Sequence, residues 1–418
     1  MRPLKGELRV PGDKSISHRV LILSALTQGL SILEGVSDAE DVRSTWRCLM
    51  RMGVNISSKG DRIYVRGTGW RGLEEPKEQL NAGNSGTTIR LLMELIAGNP
   101  IAATLTGDDS LRRRPMERVA APLRLMGATI DLEDGGRAPA RVTGAALGAI
   151  HYKTPVASAQ IKSSILLAGL LAVGTTTVTE PVLSRDHTER LLPLYGIKPV
   201  REGLSVSVLG GQPLAKVIYR VPGDASSAAF WTVAALLVPG SALTIKKSGL
   251  NPTRTGFLEV LKRMGAKVDW HAPAGDAEPV GDIHAAYSPL KACTVEPAEV
   301  PGLIDEIPIL ALAASQAEGE SRFKALGELR HKESDRLAGM VALLKALGGQ
   351  ARAEGDDLIV TGPRKLKGAK VASLSDHRLA MTGCIAGLFS DGEVKVDDSA
   401  CIDISYPGFM AQWRRLRG

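Results

Sequence analysis

The chain has 418 residues, 44% of them hydrophobic, 23% charged and 4% aromatic, with a formal net charge of +7. This is a globular composition, long enough for two or more domains with separate cores, and no uncharged apolar run is long enough to span a bilayer. The basic residues form no tail or block and aromatics for base stacking are few, so the charge suits small anionic substrates better than nucleic acid, which stays open as a partner.

The start, MRPLKGELRVPGDKS, has a strand-like ELRV and no apolar signal core, so a cytoplasmic protein is expected. Cys48, Cys293, Cys384 and Cys401 are widely scattered without metal-ligand spacing, which reads as reduced, mostly buried thiols. Apolar Ala/Leu-rich runs end at Gly29, Gly98, Gly174, Gly240, Gly319 and Gly392, each followed by a β-branched segment. A second set of Leu/Met-rich stretches ends in glycine and leads into a strand: CLMRMGVNI (48–56), LRLMGATI (123–130), LLPLYGIKPV (191–200), VLKRMGAKV (260–268) and LLKALGGQA (343–351). WRRLRG (413–418) falls where a sixth copy belongs. Two interleaved signals imply an α/β repeat of roughly 70 residues, helix, glycine stop, strand, helix, glycine stop, then one or two strands.

Polar clusters precede the first set of runs, where helix starts offer unpaired N–H groups and partial positive charge to anions. In PGDKSISHR a helix is expected to begin near Ser15, flanked by Lys14 and Arg19, a combination suited to phosphate or carboxylate. A cap at Ser15 or Ser17 with solvated cations fits the same residues. In GNSGTTIR (83–90), Gly83 and Gly86 would let a ligand approach the backbone, and Asn84 or Ser85 could simply cap a helix. SLRRRP (110–115) sets three arginines before a proline, suited to carboxylate or phosphate, or to plain solvated charge.

SAQIKSS presents Ser158 and Gln160 at another helix start, and SRDHTER places Arg185 just before a helix at 187–195; taken alone, each is better explained by capping and surface charge. Asp305 and Glu306 in GLIDEIP sit between apolar residues, so Asp305 is a candidate proton-transfer group or an N-cap. HKESDR packs Lys332, Glu333 and Arg336 at a helix start, with Lys332 and Arg336, four apart, expected on one face. Glu333 between two cations could exchange a proton, and an exposed ion-pair ladder is the plainer alternative. In DHR (376–378), His377 reads as structural, whereas Arg378 directly before an apolar helix suggests a site.

Taken in order, PGDKSISHR, GNSGTTIR, RRRP, the SAQ-K-S run, DASSAAF, NPTRTG, HKESDR and DHR make the chain resemble the EPSP synthase family of enolpyruvyl transferases, over essentially its whole length. The resemblance implies an α/β fold, a two-domain inside-out α/β barrel of six βαβαββ units, three per domain, with helices buried inside sheets. It places one domain at 13–221 and the other at 1–12 with 222–418, the active site lying in the cleft between them. It implies transfer of the enolpyruvyl group of phosphoenolpyruvate to the 5-hydroxyl of shikimate 3-phosphate, with release of phosphate, and no metal or organic cofactor. A monomer is expected.

By the same resemblance Lys14, Ser15 and Arg19 form a shared anion site, Lys14 touching both substrates. Ser158, Ala159, Gln160 and Arg185 hold shikimate 3-phosphate, and Asp305 and Lys332 bracket the reacting hydroxyl. Arg114, Arg336 and Arg378 clamp phosphoenolpyruvate, with Gln160 in reach and Gly86 packed against it; Arg112 is the fallback for Arg114. Glu333, with Lys14, is assigned to protonating the methylene, and Asp305, with Lys332, to taking the hydroxyl proton. Many relatives carry a lysine three residues before a proline near the C-terminus; here that position is Ile404, before Pro407. A larger side chain at the position of Gly86 is associated with glyphosate tolerance, so inhibition by that compound is expected. Two rivals remain. One is UDP-N-acetylglucosamine 1-carboxyvinyltransferase, whose reactive loop cysteine has no counterpart between Cys48 and Cys293. The other is a basic nucleic-acid-binding or RNA-end-processing protein.

Overall fold

Two kinds of helix alternate along the chain, and their side chains dictate where each lies. The computed structural model describes residues 2–273 and 277–417. The chain divides into two compact units, Gly12–Val221 and a discontinuous one made of Met1–Pro11 with Pro222–Gly418. The continuous unit contains α1 (Lys14–Ala25), α2 (Glu40–Arg51), α3 (Gly86–Ala97), α4 (Asp109–Arg112), α5 (Glu117–Leu125), α6 (Ala159–Leu171) and α7 (His187–Leu191). Helices α1, α3 and α6 are buried almost all round, as apolar sequences such as SILLAGLL require. Helix α2 instead buries one stripe, Asp41, Val42, Ser44, Thr45, Cys48 and Leu49, and sends Arg43, Arg47 and Arg51 outward.

Three four-stranded sheets surround these helices, each with the same order. One parallel neighbour is followed by two antiparallel ones. Gln28–Glu34 pairs in parallel with Ile218–Arg220 and antiparallel with Arg62–Thr68, which pairs with Asn55–Lys59. Ala102–Thr106 repeats this with Leu80–Asn81, Arg137–Thr143 and Thr129–Glu133. Thr175–Thr179 repeats it with His151–Lys153, Ser205–Leu209 and Val200–Glu202. Residues such as Val206 and Val208 alternate inward with polar neighbours outward, the period-two pattern of a sheet with one face on the core.

The discontinuous unit carries α8 (Ala225–Leu237), α9 (Gly256–Arg263), α10 (Ile307–Ala314), α11 (Arg336–Ala346), α12 (His377–Ala386) and α13 (Phe409–Arg417). Every residue of α8 and α10 is buried. Strand Ala242–Gly249 takes Lys5–Arg9 as its parallel neighbour. That pairing joins the chain's first strand to the second half, just as Ile218–Arg220 closes the first sheet of the other unit. Ala317–Phe323 forms the second sheet with Leu290–Lys291, Thr294–Val295, Asp357–Gly362 and Gln350–Glu354.

The sixth unit is shorter than the repeat predicts. It keeps a parallel pair, Lys370–Val371 with Lys395–Val396, and residues 413–417 of the WRRLRG segment lie in α13, Gly418 falling outside the described residues, without an antiparallel hairpin in this unit among the described residues. Tyr406 and Phe409 pack there against Trp231 of α8, ring centroids of Trp231 and Phe409 being 5.2 Å apart.

The glycines that close the apolar runs are also not uniformly helix caps. Helix α1 stops at Ala25, and Gly29 lies inside the following strand at φ +117°, where an added Cβ would touch nothing closer than Lys216 at 3.5 Å. The backbone angle, and not lack of space, requires glycine there.

Candidate active site

The polar motifs are the first turns of the buried helices. Asp13 caps α1 by accepting from Ile16 N–H at 2.9 Å, which replaces the expected cap at Ser15 or Ser17. Helix α3 is capped by Ser85, which accepts from Thr88 N–H at 3.1 Å. Asp224 and Asp376 cap α8 and α12 in the same way. Ser158, at the start of α6, makes no side-chain cap bond, so the first N–H groups of α6 receive none from it.

In the continuous unit the first residue of α1, Lys14, donates to Asp41 Oδ2 at 2.7 Å, and Ser15 follows it, half-buried. Arg19 is buried and held on three sides: Nε donates to Thr188 Oγ1 at 2.8 Å, Nη2 to Ser163 Oγ at 2.7 Å and Nη1 to the Ser15 carbonyl at 2.9 Å. Between them His18 bonds Thr45 Oγ1 at 2.7 Å, Thr45 bonds Thr88 at 2.7 Å, and Thr88 donates to Ser85 at 2.8 Å. Burial first, then Lys14 and Arg19, push the His18 pKa well below the usual histidine value, so its ring adds no charge beside those cations.

The arginine run resolves by burial. Arg112 and Arg113 are exposed, whereas Arg114 is 7% exposed and donates to Asn84 Oδ1 at 2.8 Å. Arg114, and not its fallback Arg112, is therefore the arginine of this run that packs beside Asn84. A Cβ on Gly86 would lie 3.2 Å from both Arg114 Nη1 and Arg90 Nη1, so only a glycine lets both guanidinium groups flank this helix start undisturbed. Arg90 was not singled out from the sequence. It donates to Gln160 Oε1 at 2.5 Å and to the Pro115 carbonyl at 3.2 Å, linking GNSGTTIR, RRRP and SAQIK. Its signal was available, since it falls four residues after Gly86 and so on the same helix face. Gln160 also donates to Thr87 Oγ1 at 3.1 Å. Ala159 opens α6, and Arg185 lies half-buried in the segment before α7. That helix runs only to Leu191 and tightens to a 3₁₀ turn, Leu192–Tyr195, at Pro193, so the expected helix 187–195 is composite.

In the discontinuous unit Asp305, Lys332, Glu333, Arg336 and Arg378 come together. Arg336 is 1% exposed. Its Nε donates to Asp376 Oδ2 at 2.8 Å, Nη2 to Glu333 Oε2 at 2.5 Å and Nη1 to Asp305 Oδ1 at 3.3 Å. Burial works against its charge, but Asp376, Glu333 and Asp305 outweigh it and raise its pKa, so it stays a cation. Lys332 Nζ lies 3.7 Å from Asp305 Oδ1, Arg254 Nη1 3.8 Å and Arg378 Nη2 3.9 Å from Oδ2. Lys332 and Arg336 do not share a helix face as expected: Asp335 caps α11, so the helix begins at Arg336 and Lys332 ends the preceding 3₁₀ turn, Gly327–His331. The two cations still meet, because Asp305 recruits both.

Side-chain exposure separates the carboxylates into two pairs. Asp376 and Glu306 are 0% exposed and serve inside the lobe, whereas Asp305 at 13% and Glu333 at 17% open outward, where a substrate can meet them. Glu306 and Arg254 were not assigned from sequence. Ser226 joins them, donating to Glu306 Oε1 and accepting from Arg254 Nη2. His377 is buried at the start of α12, in the structural position expected of it. Ile404 packs partly buried on the lobe's apolar core.

A sequence model of the family described as EPSP synthase (3-phosphoshikimate 1-carboxyvinyltransferase) matches residues 1–413. A protein of Gloeobacter violaceus named 3-phosphoshikimate 1-carboxyvinyltransferase is 49% identical over 422 residues, covering 100% of this chain and 97% of that relative. One of the same name from Brevibacillus brevis is 46% identical over 410 residues, covering 98% and 96%. The solved structure of EPSP synthase from Acinetobacter baumannii aligns with a TM-score of 0.88 at 40% identity, over 99% of this chain and 96% of that one. The buried-helix, sheet-outside architecture is thus the two-domain inside-out α/β fold, and the chain belongs to the EPSP synthase family.

Proposed function

We propose that this chain transfers the enolpyruvyl group of phosphoenolpyruvate to the 5-hydroxyl of shikimate 3-phosphate, the step of the shikimate pathway that leads towards chorismate and the aromatic amino acids. The observation that carries the assignment of roles is the cluster of Asp305, Lys332, Glu333 and Arg336, in which two half-open carboxylates are held by cations. Ser158 supports the other half of the reading. Its uncapped helix start suits the phosphate of shikimate 3-phosphate, with Ala159, Gln160, Arg185, Ser15 and Arg19 as further contacts. Arg114, Arg336 and Arg378, with Gln160 and Gly86, take phosphoenolpyruvate. Lys14, at the start of α1, is taken to contact both substrates.

The chemistry follows from the polarity of an enol phosphate. Glu333, with Lys14, protonates the methylene carbon, which leaves cationic character at C2. The 5-hydroxyl oxygen adds there as Asp305, with Lys332, takes its proton. The resulting tetrahedral ketal phosphate loses inorganic phosphate as a proton leaves the methyl group, restoring the double bond. Arginines aimed at the phosphate stabilise the charge it gains on departure. In this reading the enzyme is a cytoplasmic monomer. Its described cysteines are all free thiols, which suits a reducing compartment, and sedimentation of the purified chain checks the oligomeric state.

Phosphate release from phosphoenolpyruvate, assayed with shikimate 3-phosphate and separately with UDP-N-acetylglucosamine, tests the proposal. Turnover is expected only with the first acceptor, and Glu333→Ala and Lys14→Ala are expected to lower kcat/KM by at least about 10²-fold. Turnover with the UDP sugar, or none with either acceptor, refutes it.

A further inference from the structure

The helix that presents Ser158, Ala159 and Gln160 also carries a charge that the reaction does not use. Lys162 lies on α6 with its side chain 0% exposed. Its Nζ donates to Glu180 Oε2 at 2.7 Å and to the Ser184 carbonyl at 3.3 Å, and it lies 2.9 Å from Glu189 Oε1. Both carboxylates are themselves buried, at 1% and 6%. Glu180 also accepts from Ser184 Oγ and from Ser184 N–H, so it wraps the turn 180–184. Glu189, on α7, takes Arg201 Nη2 at 3.0 Å on the same oxygen that faces Lys162.

Desolvating three charges costs several kcal/mol per ion, and well-packed apolar replacements for buried ion pairs are often no less stable. Stability alone therefore gives little reason for this cluster. Geometry gives a better one. A single ammonium group ties α6 to both ends of the segment 180–189, and Arg185 sits within that segment. A neighbouring tier does the same for Arg19, whose guanidinium binds Ser163 on α6 and Thr188 on α7, with Thr188 donating to Ser163 at 2.8 Å.

We propose that Lys162, through Glu180 and Glu189, is a positioning residue for shikimate 3-phosphate, holding Arg185 in register with Ser158, Ala159 and Gln160. The inference rests on the functional reading above. Arg114, Arg336, Arg378 and Gly86, assigned to phosphoenolpyruvate, lie outside the segment 180–189, and Gln160, shared by both substrates, is held separately by Arg90 and Thr87, so the effect falls chiefly on shikimate 3-phosphate through Arg185.

Lys162→Met alone leaves two buried carboxylates facing each other and is prone to misfold. The triple variant Lys162→Met/Glu180→Gln/Glu189→Gln removes the buried charge altogether and is the decisive protein. Phosphate release is measured with each substrate varied in turn, alongside Tm. The KM for shikimate 3-phosphate is expected to rise about tenfold, a 1.4 kcal/mol effect, while that for phosphoenolpyruvate changes less than about twofold. An unchanged KM for shikimate 3-phosphate in the triple variant overturns the inference, as does a parallel rise in both KM values that tracks a fall in Tm. Absence of turnover by the unaltered chain overturns the functional reading and this inference with it.

Discussion

Replacing Arg336 by methionine removes the cation that Asp376, Glu333 and Asp305 share. The guanidinium is 1% exposed and bonds Asp376, Glu333 and Asp305. Deleting one partner of a buried ion pair costs about 3–5 kcal/mol, because the remaining charge stays out of water. Asp376 keeps other donors here: Arg378 N–H at 2.9 Å and Ser334 Oγ at 3.1 Å. Asp305 and Glu333 are partly open, and water can reach them. The loss therefore belongs at the lower end, about 3 kcal/mol. In the role proposed for Arg336 turnover suffers separately, since a preorganised cation aimed at a departing phosphate contributes about 10²–10³ in kcat. Arg336→Lys restores charge but as a single point that cannot bond three carboxylates at once, so it is expected to recover stability more than turnover. Urea unfolding and steady-state phosphate release give the two quantities. A methionine variant with kcat/KM within about threefold of the parent would refute the role given to Arg336, and a stability loss below about 1 kcal/mol would refute the charge argument.

Gly86→Ala suits the helix by propensity, but its methyl would lie 3.2 Å from Arg90 and Arg114, so both guanidinium groups must give way. The KM for phosphoenolpyruvate and the glyphosate concentration for half-inhibition are expected to rise about tenfold, with the KM for shikimate 3-phosphate unmoved; equal rises in both KM values would contradict the placement. Glu94 on α3 is buried, and burial pushes its carboxyl well above the ordinary 4.5, against weaker pulls from its own backbone, Ser164 and Arg19. A raised folded pKa means stability is fully present below the unfolded value and is lost as pH rises through the folded one. The parent is therefore expected to lose stability relative to Glu94→Gln as pH rises from about 5 to 8, by up to about 1.4 kcal/mol per unit; parallel stability curves would show that the group does not titrate so. Tyr406→Phe removes the acceptor of the buried Trp231 Nε1 at 2.8 Å and is expected to cost about 1–3 kcal/mol, and combined with Trp231→Phe, itself a cavity-forming change, the total loss is expected to be smaller than the sum of the two; purely additive losses in that cycle would argue against the bond.

Much of the site was legible because its residues sit where local rules already mark them. A capping residue, a helix start and a flanking cation lie within a few positions of one another in DKSISHR, NSGTTIR and DHR, so sequence spacing becomes spatial proximity without any long-range information. Arg90 escaped because its partners, Gln160 and Pro115, are brought to it by packing of α3 against α6 and not by its neighbours in the chain. Glu306 escaped for a different reason. The pattern GLIDEIP marks two acids in an apolar setting but cannot say that one turns inward to Ser226 and the other outward to Lys332. The placement of Lys332 on a helix failed because Asp335 was the stronger cap, and a cap sets the first helical residue.

What the sequence determined by itself was the repeat and its chemistry. Apolar runs without a polar face must be buried helices, amphipathic ones must lie outside them, and polar starts mark where the buried helices begin. Tertiary structure decided which strand closes each sheet, because Lys5–Arg9 and Ile218–Arg220 find parallel partners more than 180 residues away that no local pattern specifies. It also decided which of several equivalent charges are buried. Arg114 and Arg112 are the same residue two positions apart, and only the packing around Asn84 and Gly86 desolvates one of them and leaves the other in water.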